Sequence, residues 1–150
     1  MKMRRFIVFI LAAVSVFAMV SAASAANWRK VYGDRDIIVH VDTSSIRNHG
    51  DYFEVRERYI YNSYQARAQV GILAAFAPSA YGLSQKDSEV THAVMIKYYK
   101  KNESSCKIYD GVMLNRKGNT VCPMNETKWD KCSTDEEAIR RAVKAMKGWK

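Results

Sequence analysis

The sequence predicts an α+β fold: a small antiparallel β-sheet with a packed C-terminal helix and an additional helix in the mid-chain connection. Apolar and polar residues alternate with period two from Tyr52 to Asn62 and again from Val90 to Tyr99, which marks half-buried strands. Short Gly- or Asp-containing stretches join neighbouring β-rich runs, the signal of antiparallel hairpins. Near the end, Ser133 precedes Glu136 by three residues and an apolar stripe follows, the pattern of a capped amphipathic helix. A chain of 150 residues, 48% hydrophobic and 26% charged with 7 Gly and 2 Pro, excludes collagen-like, low-complexity and wholly disordered classes. One domain is expected.

Residues 1–25 differ from the rest. Lys2, Arg4 and Arg5 precede an apolar stretch from Phe6 to Val20, and small residues ending Ala23-Ser24-Ala25 follow. This is the pattern of a secretory signal peptide cut after Ala25, leaving 26–150 as the domain. The apolar stretch is shorter than the roughly 20 residues that span a bilayer, so no transmembrane segment is expected after cleavage. No Cys sits at the cleavage site, so a lipid-modified terminus is not expected either.

Along the domain, Trp28–Tyr32 and Ile37–Asp42 flank Gly33-Asp34-Arg35-Asp36 and read as a hairpin. Thr43–Arg47 reads as a turn or single helical turn capped by Asp42 or Thr43, and Asn48–Asp51 reverses the chain. In the strand from Tyr52 to Asn62, Phe53, Val55, Tyr59 and Tyr61 share one face and Glu54, Arg56 and Arg58 the other. Ser63 is the expected cap of a helix from Tyr64 to Phe76, with Tyr64, Ala68, Ile72, Ala75 and Phe76 as its stripe, and Pro78 stops it. Ser79–Ser88 reads as a loop. Strands follow at Val90–Tyr99, Cys106–Leu114 and Thr120–Cys122, the last two joined by Asn115–Asn119 with its Gly118. In the final helix Ala138, Ile139, Ala142, Val143 and Met146 form the stripe, ended by Gly148.

The formal charge is +9. Removing the signal takes three basic residues and no acid, leaving roughly +6, which favours anionic partners. Acids and bases are mostly interleaved, and solubility explains the charge equally well. The denser patch is Lys97, Lys100, Lys101 and Lys107 beside Tyr98, Tyr99 and Tyr109. Lysines interleaved with aromatics can track a polyanion and stack on its rings; the same residues also describe a solvated strand end.

Cys106, Cys122 and Cys132 make an odd count, so an oxidising compartment would allow one intramolecular pair and leave one thiol over. Cys122 with Cys132 is the preferred pair, because Pro123 and turn-forming residues lie between them; Cys106 with either is the alternative. The spacings match no common zinc pattern, and no cofactor is expected. His40, His49 and His92 fall in separate elements with no partner nominated for general-base work. No nucleophile elbow, phosphate loop or EF-hand spacing occurs. Enzyme activity is therefore not expected.

Trp28, Val31-Tyr32, the strand ending Val41-Asp42, Ser45-Ile46 and Gly50, with Tyr98-Tyr99 before Cys106, Lys117-Gly118-Asn119, and Trp129 before Ser133, resemble the surface-adhesin protein E family of exported bacterial proteins. The resemblance covers most of Asn27 to Met146. It implies a small antiparallel sheet with a packed helix, and binding to host extracellular-matrix proteins. The family usually pairs its mid-chain Cys with one at the C-terminal end, whereas the last Cys here is Cys132, ahead of the final helix. The connection Ser63–Ser88 is also longer than usual.

The resulting expectation is an exported, non-enzymatic binding domain for a host matrix protein or an anionic polysaccharide, as monomer or homodimer, in the periplasm, at the cell surface or secreted. Nucleic acid is not expected as a partner. The alternative is a periplasmic envelope or inhibitor-type module without a host ligand.

Overall fold

The computed structural model describes residues 26–75 and 89–150. The expected signal peptide, Phe76, Pro78 and the whole of the Ser79–Ser88 segment lie outside them. Strands β1 (Trp28–Gly33), β2 (Ile37–Asn48), β3 (Tyr52–Tyr61), β4 (His92–Lys100), β5 (Ser105–Leu114) and β6 (Thr120–Met124) form one sheet in sequence order, all neighbours antiparallel. A two-residue strand β7 (Asp130–Lys131) pairs with β5. Helix α1 (Tyr64–Ala75) connects β3 to β4, and helix α2 (Thr134–Lys147) ends the chain. The α+β architecture is the one expected.

Local chemistry makes the turns. Asp34 Oδ1 accepts from the Asp36 and Ile37 amides at 2.7 and 2.8 Å in the β1–β2 turn. Gly50, at φ 84°, supplies the left-handed residue of the β2–β3 reversal, a backbone region that side chains with a Cβ seldom occupy.

Two expectations are corrected. Thr43–Arg47 is strand, because β2 runs unbroken to Asn48 with an irregular register between Asp42 and Arg47. Side chains satisfy the displaced backbone there: Asp42 Oδ1 accepts from the amides of Asn27 and Ser44, each at 3.0 Å, and Ser45 Oγ accepts from the Arg56 amide at 2.8 Å. These are the short polar contacts that also favour a turn, and the partner strand decided between them. In α1, Ser63 caps as expected, its Oγ accepting from the Ala66 amide at 3.0 Å. The stripe faces the other way: Tyr64, Ala68 and Ile72 are exposed, while Ala66 is buried and Val70 packs on the core. Both sides of this helix are Ala-rich, so weak amphipathicity left its rotation to Arg67, which donates to the Asn62 carbonyl and to Glu89, each at 2.8 Å.

One side of the sheet carries the core. Val39 and Val41 of β2, Phe53 and Val55 of β3, and Tyr99 of β4 are fully buried there with Ile139 and Val143 of α2. The capping box on Ser133 and Glu136 starts α2 and left-handed Gly148 closes it. Arg140 then donates to the carbonyls of Lys100 and Lys101, and Lys144 to that of Lys101, tying the helix to the end of β4. Neither described helix packs on the opposite side of the sheet, which we call the open face.

Candidate functional site

The pleat divides the lysine–tyrosine patch. Successive strand residues point to opposite faces, so Tyr98 and Lys100 of β4 reach the open face while Lys97 and Tyr99 point under α2. Lys107 stands opposite Tyr98 in register, and Tyr109 is on the same side, 57% exposed. Residues from other elements complete the cluster. Tyr98 stacks on Tyr109 with centroids 4.9 Å apart, Tyr52 of β3 lies 5.1 Å from Tyr98, and His49 stacks on Tyr52 at 4.8 Å. Trp129, from the β6–β7 connection, meets Tyr52 edge-on at 5.8 Å. The Lys107 ammonium lies 5.7 Å from the Tyr98 ring and 5.2 Å from Trp129, and that of Lys100 lies 5.2 Å from Trp129. The result is an aromatic platform carrying two cations at cation–π distance.

Tyr52, His49 and Trp129 are the members that sequence reasoning missed. Tyr52 was legible, since it shares the polar face of β3 with Glu54 and Arg56. His49 was not, because its contact with Glu54 at 3.1 Å depends on the β2–β3 turn. Lys101 belongs elsewhere: its ammonium bonds Asn48 at 2.5 Å and lies 4.8 Å from the Trp149 ring, on the helix side.

Lys97 belongs neither to an exposed polyanion-binding patch nor to a solvated strand end, the two readings of the four lysines from sequence. It is 3% exposed, ion-paired with Glu136 of α2, and set 5.6 and 5.9 Å from the rings of Tyr59 and Tyr99. Glu57, fully buried on β3, accepts from the Tyr99 hydroxyl at 2.6 Å. Its Oε2 and the Tyr59 hydroxyl lack a well-formed hydrogen bond. One buried lysine thus stands beside two carboxylates, one of them fully buried.

The charges perturb one another. Burial alone would raise the Glu136 carboxyl, but the charge and hydrogen bond of Lys97, with help from Ser133, hold it down to about 2 from the usual 4.5. Glu137 is also held down to about 2, chiefly by its hydrogen bond from Arg140. Glu57 is pushed up by burial, against the pull of Lys97.

A depressed carboxyl contributes stability that is present above its unfolded value and lost as pH falls through the folded one. Acid destabilisation is therefore expected between about pH 4.5 and 2. Glu57 has the opposite sign, since its raised folded value makes ionisation costly. Glu136→Gln should remove about 2–3 kcal/mol of neutral-pH stability and flatten the acid limb, whereas Glu57→Gln should cost less than 1 kcal/mol. Thermal melts by circular dichroism from pH 7 to 2 check this; an unchanged acid limb in Glu136→Gln would refute it.

The three cysteines are free thiols, all buried. Cys106 lies on β5 and Cys132 just ahead of α2. Cys122 stands on β6 opposite Met113. Burial pushes all three thiols up. Among the described residues no group of three His, Cys, Asp or Glu side chains could hold a metal ion, and no helix is long and apolar enough to cross a membrane. Compared with protein-family models, curated proteins and solved structures, the chain finds no match in any of the three.

Proposed function

We propose that this protein is an exported, non-enzymatic binding domain, resembling surface-adhesin protein E, whose open face takes an anionic polysaccharide chain. The carrying observation is the platform of Tyr52, Tyr98, Tyr109 and Trp129 with the ammonium groups of Lys100 and Lys107 beside it. Flat rings offer stacking surface without demanding one sequence of ligand units, and cations beside them select negative charge. Lys107 makes no ion pair with a described carboxylate, so its charge is available. Lys100 is shared with exposed Glu103 at 3.0 Å, a contact of the kind worth little in water.

The variant Lys100→Gln/Lys107→Gln should bind immobilised heparin about 3- to 30-fold more weakly and elute at lower salt, with its thermal midpoint within 2 °C of the parent. Adding Tyr109→Ala should weaken binding further. Equal elution of parent and variants across the salt gradient would overturn this reading. Binding to an immobilised matrix protein with no retention on heparin would move the ligand class to protein. Recovery of the protein only by osmotic shock, with no labelling on intact cells, would favour the periplasmic module instead.

A further inference from the structure

A second cluster occupies the β1 side of the open face and does not depend on the platform. Arg56 and Arg58 project from β3 beside Trp28 of β1, with guanidinium carbons 6.0 and 4.9 Å from the indole centroid. His40 stands opposite Arg58 in register and Asp42 opposite Arg56. Neither guanidinium is in an ion pair with a described residue.

No described carboxylate forms an ion pair with either guanidinium. Asp42, buried and opposite both Trp28 and Arg56 in register, adjoins the site, but its Oδ1 accepts from the amides of Asn27 and Ser44 and from the Ser44 hydroxyl; Glu54 holds His49. Asp110, exposed on β5, lines a shallow pocket of about 250 Å³ with Arg56 but makes no ion pair with it. Arg58 Nε and His40 Nδ1 are enclosed without a hydrogen-bond partner. The terminal nitrogens of Arg58, and all three of Arg56, are not enclosed in this way and have no partner among the described residues.

Two unpaired guanidinium groups side by side repel, and both arginines are partly buried. A guanidinium steadied against an indole keeps its planar N–H edge free, in the fork that matches a carboxylate, sulfate or phosphate. We propose that Arg56 and Arg58, backed by Trp28, form a binding site for a single oxyanion group, with Arg58 as the main two-pronged donor. Asp110 lies on the far side of β4, so the anion sits on the Trp28 side of Arg56.

The test is a titration of the folded, ¹⁵N-labelled domain at constant ionic strength with inorganic phosphate, sulfate and acetate in turn. The indole N–H signal of Trp28 is assigned by its loss in Trp28→Phe. It should shift saturably with at least one anion at millimolar concentration, while the Trp129 and Trp149 signals stay. Arg58→Gln should weaken that binding at least tenfold, Arg58→Lys should not restore it, and Lys100→Gln/Lys107→Gln should leave it unchanged. Asp110→Asn should leave it unchanged or tighten it. The tightest of the three anions identifies whether a phosphate, sulfate ester or carboxylate is the group recognised. A non-saturating shift common to all three indoles, or a saturable one that survives Arg56→Gln/Arg58→Gln, would overturn the site.

Discussion

Lys97→Met should destabilise the domain by about 3–5 kcal/mol, because it removes the cation beside buried Glu57 and the ion-pair partner of Glu136 on the first turn of α2. Met matches the length of the lysine stem and fills its volume, so the loss reports the missing charge and not a cavity. The same geometry sets the control. Combining Lys97→Met with Glu57→Gln and Glu136→Gln should recover most of the loss, since neutral partners carry no such penalty. Urea unfolding of the single and triple variants, with equal slopes in denaturant, measures both. A Lys97→Met protein as stable as the parent would mean that the cluster is wet or its ion pair is not formed.

Ile139→Ala should cost about 2–5 kcal/mol. Ile139 is fully buried where α2 meets the sheet, in one cluster with Val143 and the inward residues of β2, β3 and β4. The capping box and Gly148 hold the ends of α2 and the Arg140 and Lys144 bonds hold its side, so the helix cannot move inward to fill the space, and an unfilled cavity sets the upper end of that range. Thermal unfolding checks it. A loss near that of an exposed helical substitution, below about 0.5 kcal/mol, would show that α2 is not seated as described.

Hairpins, strand alternation and helix caps were legible because each is decided within a few residues. Asp34 and Gly50 make their turns by local bonding and local backbone freedom, and Ser133 with Glu136 caps α2 whatever lies beyond. The platform was half legible. Tyr98, Lys100, Lys107 and Tyr109 come from one hairpin, whereas Tyr52, His49 and Trp129 arrive from three other segments that only the register of β3 on β4 and the β6–β7 connection bring close.

By itself, then, the sequence determined the order of the six longer strands and the two helices, the antiparallel hairpins, and the C-terminal helix with its buried stripe, but not the short β7 or the continuation of β2 through Thr43–Arg47. The tertiary structure alone decided which side of β4 turns inward. Tyr98 and Tyr99 are the same residue type, and Lys97 and Lys100 likewise, so alternation separates them without saying which pair is buried. Docking α2 settles it: Glu136 on the first turn supplies the counter-charge that makes Lys97 tolerable inside, and Tyr99 finds its hydroxyl acceptor in Glu57. A buried charge needs a partner, and these partners stand 39 and 42 residues away along the chain, where no local pattern reaches.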